Sequence, residues 1–154
     1  MVRDYSPGYI GELLRRLSAT STRHVAMLAR KMNLSAVEVT AMQHLQNTGG
    51  LTSGQLAERL FMTSGAMTGL ADRLEEASYL ERVPNPRDRR SRLLLLTSAG
   101  EEEIMRHLGP FIEEMEQAIA GLSPEERESI GRFLETVIVT MDPLEAKATE
   151  WLLK

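Results

Sequence analysis

Leu80-Glu81-Arg82-Val83-Pro84-Asn85-Pro86-Arg87-Asp88-Arg89-Arg90-Ser91-Arg92-Leu93-Leu94-Leu95-Leu96-Thr97 is the stretch that decides the fold. Leu80–Val83 and Arg92–Leu96 are rich in residues that suit strands. The Pro- and Arg-rich segment 84–91 joins them, so the stretch predicts a β-hairpin. Within 82–92, Arg82, Arg87, Arg89, Arg90 and Arg92 face a lone acid, Asp88. The rest of the chain reads as helix.

Upstream of the hairpin, Ile10, Leu13, Leu14, Leu17, Val25 and Leu28 recur at helical spacing and predict a first helix from about Pro7 to Lys31. Ser35-Ala36-Val37-Glu38 is a capping box: the Ser hydroxyl accepts an early amide while Glu38 reaches back. It opens a second helix, stopped by Asn47-Thr48-Gly49-Gly50. Thr52-Ser53-Gly54-Gln55 opens a short helix ending near Leu60. Thr63 or Ser64 caps a fourth, with Met67, Leu70, Ala71 and Leu74 on one face. Downstream, Ser98-Ala99-Gly100-Glu101 predicts the start of a long helix to about Gly121, interrupted by a bend at Gly109-Pro110. Ser123-Pro124-Glu125-Glu126 opens the last main helix, with Pro at its favoured first position. Asp142–Lys154 reads as a short helix or tail. The methionines read mostly as core filler.

The chain has 154 residues, 42% hydrophobic and 26% charged, as expected of one globular domain with a core. It has no Cys, which excludes disulfides, thiolate metal sites and thiol redox switches. Met1–Pro7 carries Asp4 and no apolar run, and nothing approaches the roughly 20 apolar residues of a membrane span. The expectation is a cytoplasmic protein without a membrane partner. The net charge of −4 is uneven. Residues 1–49 hold six basic and three acidic side chains (+3), 50–97 seven and six (+1), and 98–154 five and thirteen (−8). A nucleic-acid footprint depends on local positive charge, and the densest lies in the hairpin.

Helix, helix, turn, helix and hairpin is the order of a winged helix-turn-helix, and Gly50–Thr97 resembles the MarR family. Leu51–Leu60 is similar to the family's first helix-turn-helix element, and Leu70-Ala71-Asp72-Arg73-Leu74-Glu75 to the back half of its recognition helix. Asp88-Arg89-Arg90-Ser91, Leu94, Leu96-Thr97 and Gly100 match its wing signature. The resemblance implies a mainly α fold with a small β-hairpin wing, a winged helix-turn-helix flanked by long dimerisation helices. It implies a single domain over 1–154, a DNA-binding lobe at 35–97, and dimerisation helices at 7–31 and 98–141.

In a helix-turn-helix the second helix lies in the major groove with its N-terminal residues toward base edges. The candidates there are Ser64, Gly65, Ala66, Thr68 and Gly69, with Ser53 opening the first element. Gly69 stands where the family often has an Arg, so guanine reading from that position is absent and readout shifts to the wing and to DNA shape. By resemblance, Arg90 enters the minor groove, Asp88 accepts from Arg90 and orients it, and Arg87 and Arg89 lie near phosphates. Arg73 reads as an intramolecular partner of Asp72 or Glu76.

The resemblance also implies a homodimer on pseudo-palindromic duplex DNA, acting as a repressor and released by a small molecule, often aromatic (phenolic) or anionic. No catalytic set appears: there is no nucleophile elbow and no phosphate loop, and the Glu clusters at 101–103 and 113–116 read as solvated faces. No cofactor or metal is expected, since His24, His44 and His107 are scattered and Glu103 with His107 is the lone ligand-type pair one turn apart. The alternatives are a metal sensor of the same fold and a winged-helix interaction protein that does not bind DNA.

Overall fold

A computed structural model describes residues 5–141, so the expectations for Met1–Asp4 and Asp142–Lys154 lie outside the described residues. The elements run α1 (Pro7–Met32), α2 (Ala36–Thr48), β1 (Leu51–Thr52), α3 (Ser53–Arg59), α4 (Ser64–Glu76), β2 (Leu80–Pro84), β3 (Arg92–Leu96), α5 (Ser98–Ala120) and α6 (Pro124–Met141). The chain divides into two compact units at Gly109, inside α5. No described helix is long and apolar enough to cross a membrane.

Local chemistry places most boundaries where the sequence puts them. Ser35 Oγ accepts from the Glu38 amide at 3.2 Å, and the Glu38 carboxylate accepts from the Ser35 amide at 2.8 Å. Thr52 and Gln55 repeat the arrangement at the head of α3. Thr63, rather than Ser64, caps α4 by accepting from the Ala66 amide at 3.4 Å. Ser123 and Glu126 make a third reciprocal pair before α6.

Two expectations are corrected. The cap of α5 is Thr97, not Ser98: its hydroxyl accepts from the Gly100 amide at 3.1 Å while donating to the Ser78 carbonyl at 2.6 Å. A contact nineteen residues away chooses between adjacent hydroxyls. Gly109-Pro110 also does not break the helix, since α5 runs as one element through Pro110.

β1 joins the hairpin and makes a three-stranded antiparallel sheet ordered β1-β3-β2. Leu51 pairs with Leu94 on one side of β3, and Arg82 pairs with Leu94 on the other. Around this sheet the first unit builds one core from Leu28, Met32, Val39, Met42, Leu45, Leu56, Met67, Leu70, Leu74, Leu80, Leu94 and Ile104. Met32, Met42 and Met67 are buried there and Met62 packs against them, whereas Met27, Met105, Met115 and Met141 are exposed and are not core filler. Burial in α1 is confined to its last turns, at Leu28, Ala29 and Met32.

The second unit, described over 109–141, is different in kind. α6 buries no residue. Phe111, Met115, Ile119, Ile130, Phe133, Leu134, Ile138 and Met141 are all exposed large apolar side chains. Within each helix they recur at helical spacing, and an exposed apolar face of this sort is characteristic of surfaces that take a partner.

Gly100, buried at the start of α5, lies against the Tyr79 backbone, and a methyl group at 100 would run into the Tyr79 carbonyl oxygen. That oxygen also accepts from the Thr97 amide at 3.1 Å, so it has no freedom to retreat. Gly100→Ala should therefore cost about 1–3 kcal/mol as overpacking in a closed site. Urea melts of the two proteins check this, and a loss below about 0.5 kcal/mol would contradict the packing described.

Candidate nucleic-acid interface

α3, the turn 60–63 and α4 form the helix-turn-helix. The turn closes with Met62 N–H donating to Ala57 O at 2.9 Å and Phe61 N–H to Glu58 O at 3.2 Å. It needs one left-handed residue, and Phe61 supplies it at φ 52° with its ring 89% exposed. A bulky side chain in that region costs about 1–2 kcal/mol, and the sequence pattern gave no sign of it. Leu56 and Ala57 from α3 and Met67, Leu70, Ala71 and Leu74 from α4 face the core.

That packing turns Ser64, Gly65, Ala66 and Thr68 outward as an exposed face, with Gly69 half-buried beside them. Thr68 is less free than its position suggests. Its hydroxyl donates to Ser64 O at 2.9 Å, leaving a lone pair and a methyl group for a ligand.

The wing tip is built by turn-forming side chains. Asn85 Oδ1 accepts from the Arg87 amide and Asp88 Oδ1 from the Arg90 amide, both at 3.0 Å. Asn85 Nδ2 also donates to Ser91 Oγ at 2.8 Å, closing the base of the loop. Asp88 therefore shapes the loop through the Arg90 backbone at least as much as through its side chain, whose Nε lies at 3.6 Å and is 95% exposed. Asn85 and Ser91 were not among the candidates, although Asn-Pro and Asp-Arg-Arg-Ser are turn signals that could have found them.

The arginines of 82–92 have separate fates. Arg82 is committed: Nη2 meets Asp72 at 2.5 Å and Nη1 bonds Glu75. Arg87, Arg89, Arg90 and Arg92 are exposed. Arg92 lines an open cleft with Ser53, Thr52, Gln55, Asn85, Asp88 and Ser91. Ser53 and Asp88 are thus brought onto one cleft between α3 and the wing, and the outward face of α4 stands apart from it.

Arg73 is intramolecular, but not with Asp72 or Glu76. Its Nε donates to Glu38 Oε1 on α2 at 2.7 Å, while Asp72 is taken by Arg82. Burial pushes the Glu38 carboxyl up. The Ser35 amide, the Arg73 guanidinium and the Ser35 hydroxyl outweigh it and hold the group below the ordinary carboxylate range. Elsewhere, Glu103 is shared between Arg106 and His107, the latter at 3.2 Å.

A model of the MarR family matches residues 32–91. The HTH-type transcriptional regulator PecS of Dickeya dadantii is 28% identical over 137 residues, 87% of this chain and 82% of PecS. The uncharacterized HTH-type transcriptional regulator YcgE of Bacillus subtilis is 27% identical over 123 residues, 80% of each chain. Among solved structures, a MepR variant from a multidrug-resistant S. aureus clinical isolate matches with a TM-score of 0.70 at 20% identity, over 91% of this chain and 100% of that one. Another MepR variant, solved bound to an oligodeoxyribonucleotide, matches at 0.55 and 20% identity, over 86% and 98%.

Deleting the Asp88 carboxylate frees the Arg90 amide while leaving the β2–β3 ladder intact. Asp88→Ala should speed hydrogen exchange at that amide by about tenfold, the worth of one hydrogen bond, with Leu93–Leu95 unchanged. Equal protection at Arg90 in both proteins would show that the loop does not depend on this turn.

Proposed function

Because the chain belongs to the MarR family of winged-helix regulators, and is a DNA-binding regulator of transcription rather than an enzyme, we propose that it works as a ligand-responsive homodimeric repressor. The observation that carries the DNA-facing assignment is the wing. Arg87, Arg89 and Arg90 extend outward from a tip held by its own Asn85 and Asp88 turns, so the guanidinium groups are exposed, with Arg90 held loosely by Asp88 at 3.6 Å. Arg90 takes the minor groove, where a narrow A·T tract concentrates negative potential. Arg87 and Arg89 take phosphates. The outward face Ser64–Gly69 takes the major groove, with hydroxyl and methyl contacts and no long cation, so shape readout by the wing dominates.

The dimer rests on the uncovered apolar residues of α5 and α6 and on the N-terminal part of α1, which buries nothing before Leu28. A two-fold pair of lobes reads a pseudo-palindrome, and occupancy of a promoter represses it in the cytoplasm. For the effector we favour an aromatic carboxylate. Along α1, Ala26 and Met27 form an apolar floor rimmed by Arg23, Arg30 and Lys31. Such a ligand releases DNA only by preferring the conformation with the wrong lobe spacing.

Fluorescence anisotropy on the protein's own promoter duplex, across a salt series, tests the wing. Arg90→Ala should lose about 1–3 kcal/mol of binding, and more on A·T-rich than on G·C-rich flanks. Arg89→Ala should weaken all sequences alike and flatten the salt slope by about one unit per half-site. Unchanged affinity in Arg90→Ala would make the wing a solvated turn. Separately, sedimentation at micromolar concentration should report about twice the 17.2 kDa of one chain, and a clean monomer would remove the dimer.

A further inference from the structure

Glu38 is buried at 6% exposure, and the DNA-binding reading so far gives it no task. Its carboxylate is fully used. One oxygen accepts from both the amide and the hydroxyl of Ser35 at 2.8 Å, and the other accepts from Arg73 Nε at 2.7 Å. The cap does not require the charge. At the head of α3 the same reciprocal arrangement is completed by Gln55, a neutral side chain using one oxygen. The second oxygen and the negative charge at position 38 serve Arg73.

Arg73 sits in the last turns of α4, and its neighbour Asp72 is tied to Arg82 on β2. Adjacent residues on a helix point about 100° apart, so α4 is gripped from two directions by ion pairs of opposite polarity. The apolar face of α4 decides which side is inside, but packing among Leu and Met tolerates small rotations. A hydrogen-bonded ion pair is directional. A rotation of roughly 10° moves a side-chain tip, 5–6 Å from the axis, by about 1 Å, enough to lose a hydrogen bond to a base or phosphate.

We propose that Glu38 is a positioning residue for DNA binding: through Arg73 it sets the rotation of α4 about its axis, and so the direction in which Ser64–Gly69 face. It rests on the reading of that face as the one that meets DNA.

Charge gives the test its sign. Glu38 is an anion in a DNA-binding lobe, so neutralising it should tighten binding if only electrostatics counted. Positioning demands the opposite. Glu38→Gln retains an oxygen for the Ser35 amide and should weaken binding to the promoter duplex by about tenfold with the salt slope unchanged. Arg73→Gln, at a side chain that is itself exposed, should lose as much with the slope again unchanged. Arg73→Lys should not rescue, since it keeps the charge without the Nε geometry. The double variant should be no weaker than either single one. The inference is overturned if Glu38→Gln binds equally well or more tightly, if Arg73→Gln flattens the slope by a unit as a phosphate contact would, or if the two losses multiply. Ala66→Glu separates the underlying reading: it should abolish binding if the outward face of α4 meets DNA. Full binding by Ala66→Glu overturns that reading and the inference with it. Abolished binding there, beside an unharmed Glu38→Gln, overturns the inference alone.

Discussion

Leu94 is the residue on which the winged-helix lobe converges. It is wholly buried at the middle of β3, with Leu51 of β1 as its neighbour on one side and Arg82 of β2 on the other. β1 leads directly into α3, and β2 follows directly from the loop after α4. One strand therefore registers the start of the helix-turn-helix against its end. The register matters because strand side chains alternate between faces. A slip of one residue would carry Leu94 out of the core and turn Arg92 to the other face of the sheet. Positions so far apart in sequence hold a fixed relation to one another through a strand of five residues.

Much of this was legible in the sequence because it is written in local chemistry. Ser35 with Glu38, Thr52 with Gln55 and Ser123 with Glu126 each satisfy amides three residues away, so a reader of the chain sees what the folded chain uses. The wing loop is local too, closed by Asn85, Asp88 and Ser91. The misreadings share a cause in tertiary contact. β1 is two residues long, too short for periodicity, and exists because β3 pairs with it. Thr97 wins over Ser98 as a cap because Ser78 O lies within its reach. Arg73 finds Glu38 rather than a neighbouring carboxylate because α2 passes beside α4. Arg82 was counted in the basic footprint, although two acids from α4 neutralise it. At Pro110 the helix continues despite the lost amide. Met105, Met115 and Met141 looked like filler because composition cannot distinguish a core from a face that awaits cover.

Charge is arranged to match. The most exposed run of cations in the lobe lies in the wing, whereas residues 98–154 carry thirteen acidic against five basic side chains. An acidic segment repels a phosphate backbone, so the balance that lowers the net charge to −4 also discourages DNA from any surface but the basic one. A low overall isoelectric point and a DNA-binding role are thereby compatible in one chain.

The double grip of Arg82 on α4 has a consequence for how such a protein can evolve and be controlled. With Asp72 and Glu75 holding the root of the wing, the recognition helix and the wing form a caliper whose jaws are set at a fixed opening. On the proposed reading, the offset between major-groove and minor-groove contacts within one half-site then belongs to the protein and not to the DNA. If the chain works as the proposed ligand-responsive dimer, operators can drift in the length and sequence between half-sites and a small molecule can act there, but neither can adjust the gauge inside a lobe. Divergence in what each lobe reads must come by exchanging side chains at the tips of the jaws.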